Sequence, residues 1–189
     1  MKRFFIKLIP MLLSISFCVH GAGVILKEAK MDIYPPAFVH GNIQEVLPNI
    51  FFVTGACICE HEGKVIQKSN NMVIVRDGKE LTLINTFRLN EDGLKAIDKL
   101  GTVTNIVRLG AFHDTYDVFY LDRYKAKFWA VRGMIHENNE NNRQTDFLIG
   151  ETDIAPFPDA SFFRFETTSQ PEAIMHIARQ GGILITCDS

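Results

Sequence analysis

Four places in this chain bring side chains capable of chemistry close together. His113-Asp114 sets an imidazole beside a carboxylate, an arrangement that suits proton transfer or a share in a metal site. Cys187-Asp188 sets a thiol and a carboxylate at the end of the apolar run Ile183–Thr186. Arg108 ends another apolar run, and its planar fork could grip an anionic ligand or close a structural ion pair. Cys57-x-Cys59-x-His61-Glu62 alternates two thiols and an imidazole on one side of an extended chain and could hold a soft metal. A zinc set, however, normally needs two separated ligand pairs. Each group has a plain structural counterpart: a loop histidine satisfying a backbone group, a thiol buried at a strand end, a solvated carboxylate on the penultimate residue.

The elements that must carry these residues follow from patterning. Residues 43–55 (IQEVLPNIFFVTG) read as two short apolar strands broken at Leu47-Pro48-Asn49, and 56–70 read as an irregular polar loop. Asp77-Gly78 between Met72–Val75 and Leu81–Ile84 is a hairpin signal. Asn90 is a good N-cap, Glu91 and Asp92 suit a helix N-terminus, and Leu94, Ile97 and Leu100 recur at helical spacing before Gly101. A buried strand over 102–109, a helix over 114–124 and a strand over 127–131 follow. The Asn-rich tract 136–146 reads as a solvated loop. After Phe162–Phe165, a second hairpin joins Ala173–Ile177 to Ile183–Thr186 through Arg179-Gln180-Gly181-Gly182, with His176 inside its first strand. Strands, crossover helix and further strands predict layered α/β packing in one domain.

The first 21 residues are set apart. Lys2 and Arg3, the apolar stretch Phe4–Val19 and the small residues Gly21, Ala22 and Gly23 have the layout of a secretory signal peptide, with cleavage near Ala22. Lipidation at Cys18 is disfavoured by bulky Phe17, and the apolar run falls short of the ~20 residues needed to span a bilayer. The expectation is an exported chain, periplasmic or secreted, with residues 1–21 as signal and 22–189 as the domain. Loss of Lys2, Arg3 and Lys7 shifts the balance from 20 basic against 22 acidic residues to 17 against 22, a net −5. No basic excess points to nucleic acid. Hydrophobic residues at 47% and fifteen Phe rule out wholesale disorder and supply a sheet-rich core. Cys57, Cys59 and Cys187 remain, an odd count, and alternation of Cys57 and Cys59 is poor geometry for a mutual disulfide.

Strand pair, hairpin ending in Leu81-Thr82-Leu83-Ile84-Asn85-Thr86, helix, strand and polar-aromatic loop, with a late GGILITCDS, form an order that resembles the metallo-β-lactamase family of zinc hydrolases. The resemblance covers roughly residues 38–189 and implies an αββα sandwich. It places Asn85 where the family has an acid, and Asp188 where a carboxylate bridges two metals. It also lays the family's His-x-His-x-Asp-His motif on Arg108, Gly110, Phe112 and His113, of which His113 alone can ligate. A further histidine ligand is replaced near Thr167-Thr168.

The resemblance therefore implies an eroded metal centre of at most His113 and Asp188, and no zinc is expected. Function is expected to be binding, or a reaction without metal, with Arg108 as the binding candidate. A hydrolase with a rearranged single-metal site using His113, Asp114 and Asp188 is the alternative, and a structural or interaction module is a third. In the family further strands and helices follow the phrase at Cys187-Asp188. The expectation is thus a half to two-thirds of the sandwich, a sheet face left partly open around Phe51, Phe52, Val73, Val75, Leu83, Ile106, Val107 and Ile183–Ile185, and self-association through that face. An unidentified small-molecule ligand completes the expected partners, with no stable membrane span once the signal is removed.

Overall fold

The computed structural model describes residues 34–111, 116–134 and 145–187. The signal segment, the tract 135–144, His113, Asp114 and Asp188 lie outside them. Sheet 1 has seven strands in sequence order: β1 (Gln44–Leu47), β2 (Ile50–His61), β3 (Lys64–Asp77), β4 (Glu80–Ile84), β5 (Thr102–Arg108), β6 (Lys127–Val131) and β7 (Phe147–Ile149). β1 to β4 pair antiparallel, and β4 to β7 pair parallel. Sheet 2 is antiparallel, β8 (Ala160–Arg164), β9 (Ala173–Ile177) and β10 (Ile183–Ile185), in the order β10-β9-β8.

Turn chemistry sets the antiparallel half. Pro48-Asn49 joins Leu47 to Ile50 with Asn49 at φ 64°, the positive φ that the second turn position of a type II turn needs. Gly78 at φ 60° opens the two-residue loop between paired Asp77 and Glu80, as the sequence predicts. The loop expected over 56–70 is instead a long hairpin, with His61 paired to Lys64 across Glu62-Gly63, both at positive φ. Its described side chains are largely exposed, so they leave no buried alternation to mark the strands; the Glu-Gly turn and six registered pairs from Ala56↔Ser69 to His61↔Lys64 hold them.

The parallel half needs crossovers, and α1 (Glu91–Leu100) and α2 (Asp117–Tyr124) provide those from β4 to β5 and from β5 to β6. α1 follows its sequence signals: Asn90 accepts from Gly93 N–H at 2.9 Å, Leu94 and Ile97 are buried, and the Gly101 N–H reaches back to Ile97 C=O. Both helices pack on one face of sheet 1, where Phe51, Leu83 and Ile106 meet Leu94, Ile97, Phe119 and Tyr120.

The other face of sheet 1 is not bare. Val75, Ile84, Val107 and Trp129 pack against Phe157, Ala173, Met175, Ile177 and Ile185, so sheet 2 covers it. The open face expected between the sheets is thereby corrected: Val75, Val107 and Ile185 are buried, while Phe52, Val73 and Ile183 are half-buried. Apolar side chains do reach solvent on the far side of sheet 2, where Phe163 and Leu184 are 63% and 66% exposed, and on the long hairpin at Ile58 and Val65. No helix among the described residues is long and apolar enough to cross a membrane.

Candidate functional site

Strand β4 ends at Ile84, β5 at Arg108 and β10 at Ile185, and the residues just beyond these ends converge. Asn85, at φ 54°, turns its carboxamide between the strands. Its Oδ1 accepts from Leu109 N–H at 3.2 Å and its Nδ2 donates to Thr186 C=O at 2.9 Å. Leu109 C=O accepts from Ala173 N–H at 2.8 Å, and Gly110 bridges to Glu172. Cys187 lies over Gly110: a Cβ at position 110 would sit 2.7 Å from its Sγ and 2.8 Å from its Cβ. The residues singled out in sequence as Asn85, Gly110 and Cys187 are thus brought to one place.

Arg108 points elsewhere. Its guanidinium is buried, donates through Nε to Asp117 Oδ2 at 2.6 Å and through Nη2 to the same oxygen, and lies 5.7 Å from the Phe128 ring centroid. Thr86 Oγ1 donates to Asp117 Oδ1 at 2.5 Å. Asp117 opens α2, where a carboxylate also meets the positive helix end. A carboxylate with both oxygens bonded inside the protein is what makes a buried guanidinium tolerable. The expected anion-binding role therefore meets a guanidinium already committed to Asp117 in the core. Asp117, the partner of Arg108, is unmarked in sequence; an acid nine residues after a buried-strand Arg, at a helix start, is the only available signal.

Beside β10, the two sheets enclose a cleft of about 470 Å³, within the range of ligand pockets. Ile50, Phe52 and Val73 are among its apolar lining residues, Ser69, Asn71, Asn85 and Thr186 among its polar ones, and Val46, Leu47 and Leu184 are exposed. None of its fifteen described lining residues is charged. Such a surface can take an uncharged molecule with apolar and hydrogen-bonding parts. Its described residues offer no ionised group to a charged one.

Zinc is the cofactor the fold resemblance implies, and the described residues do not fit it. Position 108 carries a paired guanidinium, and position 110 has no room for any side chain. Among the described residues no three His, Cys, Asp or Glu groups converge to hold a metal. Cys57 and His61 lie on β2, with Glu62 exposed at the hairpin turn. Cys57 and Cys187 are reduced and half-buried. His176 sits in β9, 3.4 Å from Ser161 Oγ, away from the strand-end cluster.

No family model and no curated protein matches the sequence. Solved structures do match. The chain is similar to the DIM-1 metallo-β-lactamase exposed to ceftazidime at TM-score 0.55 and 18% identity, covering 72% of this chain and 64% of that one. TMB-1 matches at 0.54 and 15%, covering 72% and 65%. The mono-zinc form of FIM-1 metallo-β-lactamase from Pseudomonas aeruginosa matches at 0.53 and 14%, covering 74% and 66%. The match with DIM-1 spans a little under two thirds of that protein's length. With two sheets face to face, helices on the outer side of the first, and parallel strands β4 to β7 entered from an antiparallel meander, and with these matches, the chain has the metallo-β-lactamase fold.

Proposed function

We propose that this chain is an exported protein that uses the metallo-β-lactamase fold for binding rather than for zinc hydrolysis. The observation that carries the reading is the contact of Cys187 with Gly110, which fills the space a ligand side chain at position 110 would need. The paired guanidinium of Arg108 supports it from the neighbouring strand position. The binding surface is the uncharged cleft beside β10, and its occupant is an uncharged small molecule. Export rests on the layout of residues 1–21.

The test has two arms on the mature protein. In the first, a chromogenic β-lactam is offered with and without added zinc; no turnover is expected. Zinc-dependent turnover that disappears in His113→Ala would establish the hydrolase instead. In the second, the neutral dye Nile red is titrated by fluorescence against wild type and Val73→Lys. Saturable binding weakened at least tenfold in the variant supports the cleft; identical binding in both contradicts it.

A further inference from the structure

The residues that stand at positions 85 and 110 in place of the family's have a positive role, shared with Cys187. We propose that Asn85, Gly110 and Cys187 form a metal-free joint that locks sheet 1 to sheet 2 at their shared strand ends. The inference deepens the metal-free reading given above and rests on it.

The bonding at Asn85 demands a carboxamide. Leu109 presents an N–H and Thr186 a C=O, so the side chain between them must accept on one side and donate on the other. A carboxylate there keeps the first bond and sets an oxygen against the Thr186 carbonyl. Asn also tolerates the left-handed backbone at φ 54° better than most residues. With Asn85 N–H donating to Val107 C=O at 2.9 Å and Ala173 N–H to Leu109 C=O, one residue ties β4 to β5 and to β10, and β5 is tied to β9.

Gly110 and Cys187 complete the joint by shape. The absent side chain at 110 is the space that Cys187 Sγ and Cβ occupy, so the two positions are complementary, and either can enlarge only if the other shrinks. Both Cys187 atoms approach position 110, so truncation to Ala would not clear it; Gly is needed.

Thermal unfolding of wild type, Gly110→Ala, Cys187→Gly and the Gly110→Ala/Cys187→Gly pair reads the coupling. Gly110→Ala should lower Tm by several degrees and speed thiol labelling of Cys187 at least severalfold, and the Tm loss should largely vanish in the Cys187→Gly background. An unchanged Tm for Gly110→Ala, or equal losses in both backgrounds, overturns the joint. Wild type is then heated with and without zinc: an unchanged Tm is expected, and a saturable zinc-dependent rise overturns the metal-free reading while leaving the joint to the Gly110/Cys187 comparison.

Discussion

Arg108 and Asp117 are a fully buried charge pair, and the energetics of such pairs are asymmetric. Removing one partner strands the other charge and costs about 3–5 kcal/mol, although replacing both by apolar groups can be nearly neutral. Arg108→Ala should therefore lower the unfolding free energy in urea by about that amount, and Arg108→Met with Asp117→Leu should lose much less than the two singles together. Tyr120 offers a second residue-scale test. Its buried hydroxyl donates to Phe87 C=O at 2.7 Å and accepts from Leu89 N–H at 3.2 Å, and burial raises its pKa. Tyr120→Phe leaves both backbone groups unpaired and should cost about 1–3 kcal/mol by the same measurement. That Arg108 could close a structural ion pair was legible in sequence; that Asp117 is its partner, and how Tyr120 is bonded, was not. A strand residue's side-chain partner is set by which loop folds over it, and local patterning carries no such information.

Elements were legible where pattern and punctuation agreed. α1 was bounded by Asn90 and Gly101, and the structure puts a side-chain cap at one and a backbone bond at the other. Asn90→Ala should cost about 0.5–2 kcal/mol. Gly101 has a further reason to be glycine: a Cβ there would lie 2.5 Å from Lys79 C=O, part of the β3–β4 turn, which cannot move independently. Gly101→Ala should thus destabilise by about 1–3 kcal/mol although Ala is the better helix former; chemical denaturation checks both variants. The hairpin over 56–69 was missed because its strands pair almost only with each other and bury little, so the period-2 signal never formed. β7 was missed because three residues are too few to show a period.

Across the molecule, the order of elements sufficed to suggest the fold, while coverage of the core required coordinates: which residues would roof the face of sheet 1 is a tertiary question. Sheet 2 is fastened at both ends of β10. Beyond its C-terminal end stands the Asn85 joint; before its N-terminal end, Arg179 binds Asp159 through Nε at 2.6 Å and reaches Arg76 C=O on β3 at 3.2 Å. The hydrogen bonds from Arg179 hold the Asp159 carboxyl below its usual range. A carboxylate with a depressed folded pKa adds stability above its unfolded value, about 4, and loses it as pH falls through the folded value. Asp159→Asn should accordingly be less stable than wild type at pH 7, with the gap closing below about pH 4 in a pH series of thermal melts.

The claim that binds these scales together is that a fold shared with zinc enzymes is held here by its own side chains. Elemental analysis of the purified mature protein after exhaustive dialysis tests it most directly. Zinc should lie far below one equivalent per chain, and the melting temperature should be the same before and after chelator. One or more equivalents of zinc, whose removal lowers the melting temperature, would contradict it.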